Sequence, residues 1–298
     1  MDCVKGEHSA NSRLEEVLGK PFPVLNKGFI YVADYMGGDS SIVRAAGISY
    51  GKSTKTIRDD RSLIRYLFRH KHFSPFEFPT IVFHVKLPIF VMRQWVRHRM
   101  ASLNEISLRY SEATDEFFVV GPEDWRKQST LNKQGSSSEK LEFNEGARHS
   151  EEQNSLHKYI YNIYKERIDS GISRELARVD LPVSLYTQIY WKVDLRNLLH
   201  FLELRMESNA QNEIKEYATI IGNEFVSRWC PLTWEAFNDF SLNSLTFGKK
   251  EIDILKNFFE NLQITDKDKS KLFMNSSVMS GGEFQEFLNK LEKLGMVK

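Results

Sequence analysis

A chain of 298 residues with 41% hydrophobic side chains is long enough to bury a sizeable core, as one large domain or as one domain with an extension. Its 41 basic and 40 acidic side chains leave a formal net charge of +1, which argues against global attraction to nucleic acid or an anionic membrane. Two cysteines, Cys3 and Cys230, indicate neither a disulfide framework nor a cysteine metal site, and no metal is expected. This cysteine usage fits a reducing cytoplasm. No apolar run approaches the ~20 residues of a membrane span, so a soluble, cytoplasmic protein is expected.

The first half of the chain alternates between strand and helix patterns. Alternating side chains predict a strand over residues 28–35, and a turn with a helix cap then starts a helix that ends near Ala46. Helical spacing predicts an amphipathic helix over 53–71, and β-branched and aromatic residues predict a strand over 78–87. Pro88 suits the first turn of the next helix, which is expected to end at about Met100.

The second half has the same mixed character. Residues 127–153 turn polar and are interpreted as a mobile surface loop inside the domain. Helices are predicted over 151–170, 195–205 and 210–229, and a strand over 182–192. Two amphipathic helices, 251–262 and 283–294, follow; their periodicity is equally compatible with covering the core, extending an oligomer interface or binding a partner. The predicted organisation is a mixed α/β chain with an N-terminal arm (1–27), one domain (28–240) and a helical C-terminal extension (241–298).

Four arginines and one glutamate fall between positions 93 and 109 of this nearly neutral chain. Arginine forks bind phosphate or carboxylate oxygens bidentately, so such a cluster favours a fixed anionic ligand; a solvated or ion-paired helix end is the alternative. On a helix, Gln94, Arg97 and His98 share a face. Arg97, His98 and Arg99 diverge by ~100° each and cannot all reach one small ligand. Either the helix ends here, or these side chains serve two ligands or two subunits at a packed junction.

The residues that follow alternate in polarity. If the chain is extended, Glu105, Ser107 and Arg109 share one face, as a nucleotide pocket requires; an edge strand with a polar solvent face is the alternative. A third group comprises Arg178, Asp194, Arg196, His200 and Arg205, among which Arg196 and His200 are spaced to share a helical face.

Several motifs are missing from the sequence. It contains no dinucleotide-binding glycine fingerprint, no phosphate-binding P-loop and no zinc-protease motif. Both cysteines lie outside the polar cluster, so a thiolate nucleophile is not expected. Ser107 as a nucleophile would need His98 as its base, and binding is the better-supported role.

Residues 97–110 resemble the signature of the flavin-dependent thymidylate synthases, R-H-R, two residues, S, one residue, N-E, one residue, S, one residue, R-Y. All nine fixed positions of the 14 match. The resemblance extends from about Gly28 to Phe237 and includes the segments 72–77, 93–95, 175–178 and 201–205.

The resemblance implies a thymidylate synthase-complementing fold, with a central, mostly antiparallel sheet flanked by helices, and a homotetramer whose active sites are shared between subunits. It implies reductive methylation of dUMP to dTMP, with 5,10-methylenetetrahydrofolate as carbon donor and NADPH-reduced FAD as hydride donor. No membrane or nucleic-acid partner is implied.

The resemblance also implies site residues by position. Arg205 would be the catalytic, activating residue. The matching dUMP positions are Gln94, Arg97, Glu105, Ser107, Leu108 through its backbone, Arg109, Arg178 and Arg205. The matching FAD positions are Ser74, Glu77, Arg97, His98, Arg99, Glu105, Asp194, Leu195, Arg196 and His200.

Three positions depart from what is common in the family. Ser74 stands where threonine is common, Asp194 replaces a frequent asparagine with an acceptor-only group, and Leu108 replaces a small residue seen in some members. The sequence leaves two alternatives to the enzyme. A nucleic-acid-binding module would use the basic helix 93–99 on phosphates, which the near-zero net charge opposes. A non-catalytic flavin-binding protein would leave Glu105, Ser107, Arg109 and Arg205 without a nucleotide ligand.

Overall fold

The computed structural model describes residues 10–50, 56–130, 133–259 and 279–294. The chain divides into two compact units, Met1–Leu242 and Asn243–Lys298. Every residue predicted for the site lies in the first unit.

Seven strands are described. They are β1 (Phe22–Val24), β2 (Gly28–Met36), β3 (Thr80–Pro88), β4 (Ser102–Glu105), β5 (Arg126–Gln128), β6 (Ser136–Lys140) and β7 (Tyr186–Asp194). Five of them form one sheet in the order β1-β2-β3-β7-β4, in which all neighbours are antiparallel, while β5 and β6 form a separate hairpin. The predicted central antiparallel sheet is therefore confirmed.

Helices occupy most of the remaining described chain of the first unit. They are α1 (Ser12–Glu15), α2 (Asp39–Tyr50), α3 (Ile57–Arg69), α4 (Ile89–Trp95), α5 (Phe143–Asp169), α6 (Arg174–Ala177), α7 (Leu195–Arg205), α8 (Asn212–Ile220), α9 (Ser227–Trp229) and α10 (Pro231–Phe237). Short 3-10 turns span Ser74–Glu77 and Arg178–Asp180, and π-helical turns span Ile221–Val226 and Asn238–Leu242.

The core lies on one face of the sheet. In β3 the side chains of Ile81, Phe83, Val85 and Leu87 are fully buried, while their neighbours on the other face are partly exposed, as strand geometry dictates. Trp191 of β7 lies next to Phe83 and meets the ring of Trp95 edge-on, with centroids 5.1 Å apart. Phe201 of α7 packs on both tryptophans. These aromatic contacts hold Trp95, the last residue of α4, against Phe201 in the second half of α7, next to predicted site residues.

The helix predicted to end near Met100 ends at Trp95. Trp95 is fully buried whereas Arg97, Arg99 and Met100 are exposed, so the chain leaves the core after this residue. The amides of Arg97 and His98 donate to the carbonyls of Gln94 and Trp95, three residues back, which closes a turn. Of the alternatives for the R-H-R segment, the structure has the one in which the helix ends there.

The condition under which Glu105, Ser107 and Arg109 would share a face, an extended chain over 104–110, is not met beyond Ile106. The last backbone hydrogen bond to β7 is donated by Ile106 to the Gln188 carbonyl at 2.9 Å, and the Ser107 carbonyl then accepts hydrogen bonds from the amides of Tyr110 and Ser111 at 3.0 and 3.1 Å. These bonds fold residues 107–111 into a turn. Glu105, Ser107 and Arg109 therefore do not share one strand face.

Residues 127–153, interpreted from their polarity as a loop, carry regular structure on both sides of the two undescribed positions 131 and 132. Most of the β5–β6 hairpin lies here, and α5 begins at Phe143, eight residues before the predicted 151. The polar composition reflects the exposed surfaces of this hairpin and of the start of α5. Gly146 lies close under the Pro122 carbonyl, so this helical start is packed despite its polarity.

The two ends of the chain also carry regular elements. Within the predicted N-terminal arm, β1 pairs with β2, so this part of the arm completes the sheet edge. In the second unit α11 (Lys249–Phe259) and α12 (Gly281–Lys293) are described, and Ser280 and Glu283 form a capping box at the start of α12. The predicted helical residues 260–262 lie outside the described residues.

Candidate active site

Arg205, at the last position of α7, meets the turn that follows α4. Its Nε–H donates to Nε2 of His98 at 3.1 Å, and one of its terminal nitrogens lies 3.5 Å from the Gln94 carbonyl. The His98 ring also contacts Phe201 edge-on, with centroids 4.9 Å apart, so the aromatic core orients it. The sequence placed both residues in the site without predicting their contact.

The protonation state of His98 follows from these neighbours. The pKa of His98 is lowered from 6.5 to about 4, mainly by burial and to a smaller extent by the charges of Arg205 and His200. The ring is therefore neutral near pH 7 and accepts from Arg205 through Nε2, which leaves the proton on Nδ1. Partial burial lowers the pKa of the Arg205 guanidinium as well.

Gln94 begins a chain of polar contacts that leads away from the R-H-R turn. Its amide nitrogen donates to the Gln211 side-chain oxygen, and the Gln211 nitrogen donates to Oε2 of Glu213 at 2.7 Å. The other Glu213 oxygen, Oε1, accepts from Arg126 of β5 at 2.8 Å. Gln211 occupies the N-cap position of α8 without a capping hydrogen bond from its side chain, and Glu213 lies in the first turn, where a carboxylate is favoured by the helix dipole.

A second group surrounds a cavity of about 290 Å³. Glu105, Ser107, Leu108 and Arg178, all predicted dUMP positions, line it together with Thr187 of β7. The Thr187 hydroxyl donates to Oε1 of Glu105 at 2.6 Å and so orients the carboxylate at the end of β4. Arg109 points elsewhere and pairs with exposed Glu175 at 3.2 Å.

A third group lies at the start of α7. Arg196 pairs with Glu77 of the 3-10 turn, which joins two predicted FAD positions. Asp194 caps α7: its side chain accepts from the backbone and side-chain nitrogens of Asn197 at 2.9 and 2.7 Å. Ser74 is exposed on the same 3-10 turn, and His200 is exposed one turn into α7.

Three guanidinium groups of the site make no hydrogen bond or ion pair with any of the described residues. They belong to Arg97, Arg99 and Arg178, of which the first two are exposed. A cation without an internal partner is available to an external anion. Two members of the arginine cluster, Arg97 and Arg99, and Arg178 outside it are therefore open to an anion, whereas Arg109 of the cluster is paired with Glu175.

Sequence reasoning missed Thr187, Gln211, Glu213 and Arg126. One signal was available for Thr187, because it is the polar member of the inward-facing series Thr187, Ile189, Trp191 and Val193. The contacts of Arg126 and Gln94 join residues 87 and 117 positions apart, which local periodicity cannot reveal.

No helix among the described residues is both long and apolar enough to cross a bilayer.

Comparison with known proteins gives consistent matches. The sequence profile of the family described as Thymidylate synthase complementing protein matches residues 31–232. A flavin-dependent thymidylate synthase of Treponema denticola is 45% identical over 278 residues, covering 92% of this chain and 98% of its own length. Another, from Thermus thermophilus, is 46% identical over 273 residues, covering 90% of this chain and 95% of its own.

A solved structure is similar as well. The UMP/dUMP methylase of Streptomyces cacaoi, bound with 5-Br dUMP, superposes with a TM-score of 0.65 at 29% identity and covers 74% of this chain and 98% of its own. The resemblance drawn from residues 97–110 is thus confirmed by comparisons that extend far beyond that segment. By its profile, its relatives and its fold, the chain belongs to the family of thymidylate synthase complementing proteins.

Proposed function

We infer that the protein is a flavin-dependent thymidylate synthase, which converts dUMP to dTMP with the help of bound FAD. The observation that carries this inference is the half-buried Arg205, held by an uncharged His98 within the family signature. Relatives named for the activity and a methylase neighbour bound to 5-Br dUMP support it. We propose 5,10-methylenetetrahydrofolate as the carbon donor and NADPH as the reductant.

Arg205 would activate the substrate. A guanidinium beside the uracil imide stabilises negative charge that develops on the ring, which makes the C5 carbon more nucleophilic toward the incoming one-carbon unit. Partial burial strengthens this effect because less water screens the charge. The bond to His98 fixes the guanidinium plane in advance, so little ordering remains when substrate binds.

The remaining dUMP contacts would come from the groups described above. Around the cavity, Glu105 offers acceptor oxygens, Ser107 a hydroxyl and Leu108 its backbone, while Arg178 offers an unpaired fork for an anionic oxygen. Gln94, Arg97 and Arg109 complete the proposed set. The cavity, at about 290 Å³, is at the lower end of ligand-pocket volumes, as expected for a nucleotide site to which further groups are added.

The donor chemistry at the third group and the R-H-R turn fits FAD. Two exposed arginines, Arg97 and Arg99, suit a diphosphate, and Ser74 and His200 can hydrogen-bond to polar groups of the cofactor. When bound, the flavin would supply the hydride that reduces the transferred carbon. The other proposed contacts are Glu77, His98, Glu105, Leu195 and Arg196, with Asp194 acting through its backbone because its side chain caps α7.

We propose a homotetramer with shared active sites. Large apolar side chains are exposed around the signature: Met100 by 72%, Ile106 by 45% and Tyr110 by 82%. Exposed apolar clusters of this kind mark interaction surfaces. Within the described residues no hydrogen bond or ion pair joins the Arg205 group to the Arg178 cavity, which fits a site assembled from more than one subunit.

The test is dTMP formation from dUMP, methylenetetrahydrofolate and NADPH by the purified protein, with its flavin measured by absorbance. Arg205→Ala should retain flavin and lower turnover by at least about 10²-fold, the usual cost of losing a preorganised charge stabiliser. Arg228→Ala, which removes a half-exposed ion pair with Glu224, is the matched control and should retain activity. Near-parental turnover of Arg205→Ala would refute the activating role.

The same preparation separates the alternatives. A protein that cannot take up FAD is not this enzyme. Tight, salt-dependent RNA binding without flavin would favour the nucleic-acid-binding module. Flavin binding without dUMP-dependent oxidation of NADPH would favour a non-catalytic flavoprotein.

A further inference from the structure

Four side chains connect the β5–β6 hairpin to Gln94. From the hairpin inward, the Arg126 guanidinium donates to Oε1 of Glu213, Oε2 of Glu213 accepts from the Gln211 amide at 2.7 Å, and the Gln211 oxygen accepts from the Gln94 amide. Arg126 is itself held by the Ser136 hydroxyl at 3.1 Å. We call these four residues, Arg126, Glu213, Gln211 and Gln94, the amide relay.

The carboxylate of Glu213 determines in which direction the hydrogen bonds of the amide relay run, that is, which side chain donates and which accepts. A carboxylate only accepts hydrogen bonds, so Gln211 must turn its NH2 group toward Glu213 and its oxygen toward Gln94. Gln94 must then turn its own NH2 group toward Gln211. Glu213 is only 8% exposed and its carboxylate is paired with Arg126, so the acceptor side of this contact is shielded from water, while the donor Gln211 is exposed.

The direction has a consequence for Gln94. With its NH2 group bonded to Gln211, its carbonyl oxygen Oε1 is left as the acceptor, and nothing among the described residues donates to it. An acceptor oxygen selects a hydrogen-bond donor in a ligand. In dUMP the donors are the N3–H of the uracil ring and the ribose 3′-hydroxyl, whereas a dianionic phosphate has none.

We propose that Glu213 is a positioning residue for substrate binding: through Gln211 it orients the Gln94 carboxamide so that the carbonyl oxygen accepts a hydrogen bond from dUMP. The proposal rests on the proposed function, because it takes Gln94 as part of the dUMP site. It assigns a role to a residue that touches no substrate and lies next to a hairpin outside the signature.

The geometry predicts what happens when Glu213 becomes Gln. Arg126 still requires an acceptor, so the new amide turns its oxygen toward Arg126 and its NH2 group toward Gln211. Gln211 and then Gln94 must rotate in response, and Gln94 presents NH2 to the substrate instead of oxygen. Glu213→Gln therefore reverses the donor and acceptor at the Glu213–Gln211 and Gln211–Gln94 contacts, while every hydrogen bond of the amide relay can still form.

This reversal makes a specific rescue possible. In Glu213→Gln the Gln211 NH2 group points at position 94, where a carboxylate can accept it and still offer an acceptor oxygen to the substrate. The second change Gln94→Glu should restore dUMP binding in that background and impair it in the parent, where carboxylates would lie at both ends of Gln211. The double variant also keeps the charge of the parent.

The experiment measures the dUMP dissociation constant of the flavin-loaded, full-length protein by calorimetry, together with KM and kcat. Glu213→Gln should weaken dUMP binding by about tenfold, the equivalent of one hydrogen bond, with a larger effect on KM than on kcat. Glu213→Gln/Gln94→Glu should return to within about threefold of the parent. Glu224→Gln, which removes another carboxylate–arginine pair on the same helical run, should change neither quantity.

Thermal unfolding separates positioning from a structural role. The double variant still lacks the Arg126–Glu213 ion pair, so its unfolding temperature should stay as low as that of Glu213→Gln while dUMP affinity recovers. If affinity and unfolding temperature fall together and Gln94→Glu rescues neither, Glu213 is structural and the proposal is wrong. A parent protein that binds dUMP but makes no dTMP would refute the proposed function and leave this test intact.

Two analogues identify the donor. Either N3-methyl-dUMP or the 3′-deoxy analogue should bind the parent and Glu213→Gln with equal affinity, because it lacks the group that Gln94 contacts. If both analogues still distinguish the two proteins, Gln94 does not accept from dUMP and the proposal is wrong.

Discussion

Two neighbouring basic side chains, His98 and Arg205, share a hydrogen bond because one of them is uncharged. If His98 were protonated, Nε2 would carry a hydrogen facing the guanidinium N–H, and two positive charges would lie 3.1 Å apart. Burial and the charges of Arg205 and His200 keep its pKa near 4. The family signature thus places a titratable group where only its neutral form fits.

This arrangement predicts a pH dependence of stability. The folded-state pKa of His98 lies below its unfolded value of 6.5, so the folded protein binds fewer protons between pH 6.5 and about 4. Its contribution to the free energy of unfolding is complete above pH 6.5 and is lost as the pH falls toward 4. In His98→Gln the amide oxygen can accept from Arg205 without titrating.

The measurement is the free energy of unfolding in urea at several pH values from 4 to 8 for the parent and for His98→Gln. The parent should lose more stability than the variant on acidification. The difference between the two curves isolates His98 from the other titrating groups. Parallel curves would show that His98 does not titrate as described.

At the residue scale, the family motif names candidate side chains, but the sequence does not give the distant partner that determines how a side chain is oriented. Glu105 was predicted as a site residue from the signature, but Thr187, which orients its carboxylate, lies 82 positions away. Gln94 was predicted from the neighbouring segment 93–95 of the resemblance, and its partner Gln211 is 117 positions away. Spacing along one element carries no information about such contacts.

At the level of elements, the sequence predicted the type of most large segments correctly and their ends less accurately. The exception is 127–153, interpreted as a loop, which contains most of the β5–β6 hairpin and the start of α5. Helix α7 has the bounds that were predicted, because Asp194 caps it and apolar residues repeat through it. Helix α4 was predicted to be too long because the residues after Trp95 still suit a helix locally. Burial of Trp95 against Trp191 and Phe201 determines the end, and those partners come from later in the chain.

The β1–β2 hairpin yields a prediction about packing. A Cβ at Gly28 would lie 2.2 Å from the Tyr217 hydroxyl, 2.7 Å from the Val24 carbonyl oxygen and 2.8 Å from that of Lys86. The Tyr217 hydroxyl also donates to the Lys86 carbonyl, so relief of the clash would break this bond. Two of the three obstacles are backbone atoms, which cannot rotate away.

Gly28→Ala should therefore lower the free energy of unfolding by about 1–3 kcal/mol, the range for overpacking, or prevent folding. Urea titration is the measurement. Gly281→Ala is the control, since a Cβ there meets nothing within 4 Å, and it should be neutral or slightly stabilising in a helix. Equal stability of Gly28→Ala and the parent would contradict the packing described here.

On the scale of the whole molecule, the strand order explains how distant segments reach one site. Because β4 pairs with β7 at the sheet edge, Glu105 and Thr187 become neighbours, and the cavity with Arg178 forms beside them. Arg205 lies instead at the far end of α7, beside the turn after α4. The sequence names candidate residues in both groups, and among the described residues no hydrogen bond or ion pair joins Arg205 to the lining of the cavity.

If active sites are shared between subunits, two inactive variants should regain activity in a mixed oligomer. If one site takes Arg178 from one subunit and Arg205 from another, Arg178→Ala and Arg205→Ala are each inactive alone, yet a mixed oligomer contains some sites with both arginines. Random assembly of equal amounts should restore about a quarter of parental turnover.

The two variants are co-expressed with different tags, purified through both tags and assayed for dTMP. The control is the double variant Arg178→Ala/Arg205→Ala, made with each of the two tags, co-expressed and purified in the same way, and it should stay inactive. Mixed oligomers as inactive as this control would place both arginines of each site in one subunit, because then no rearrangement of chains can bring an intact pair together.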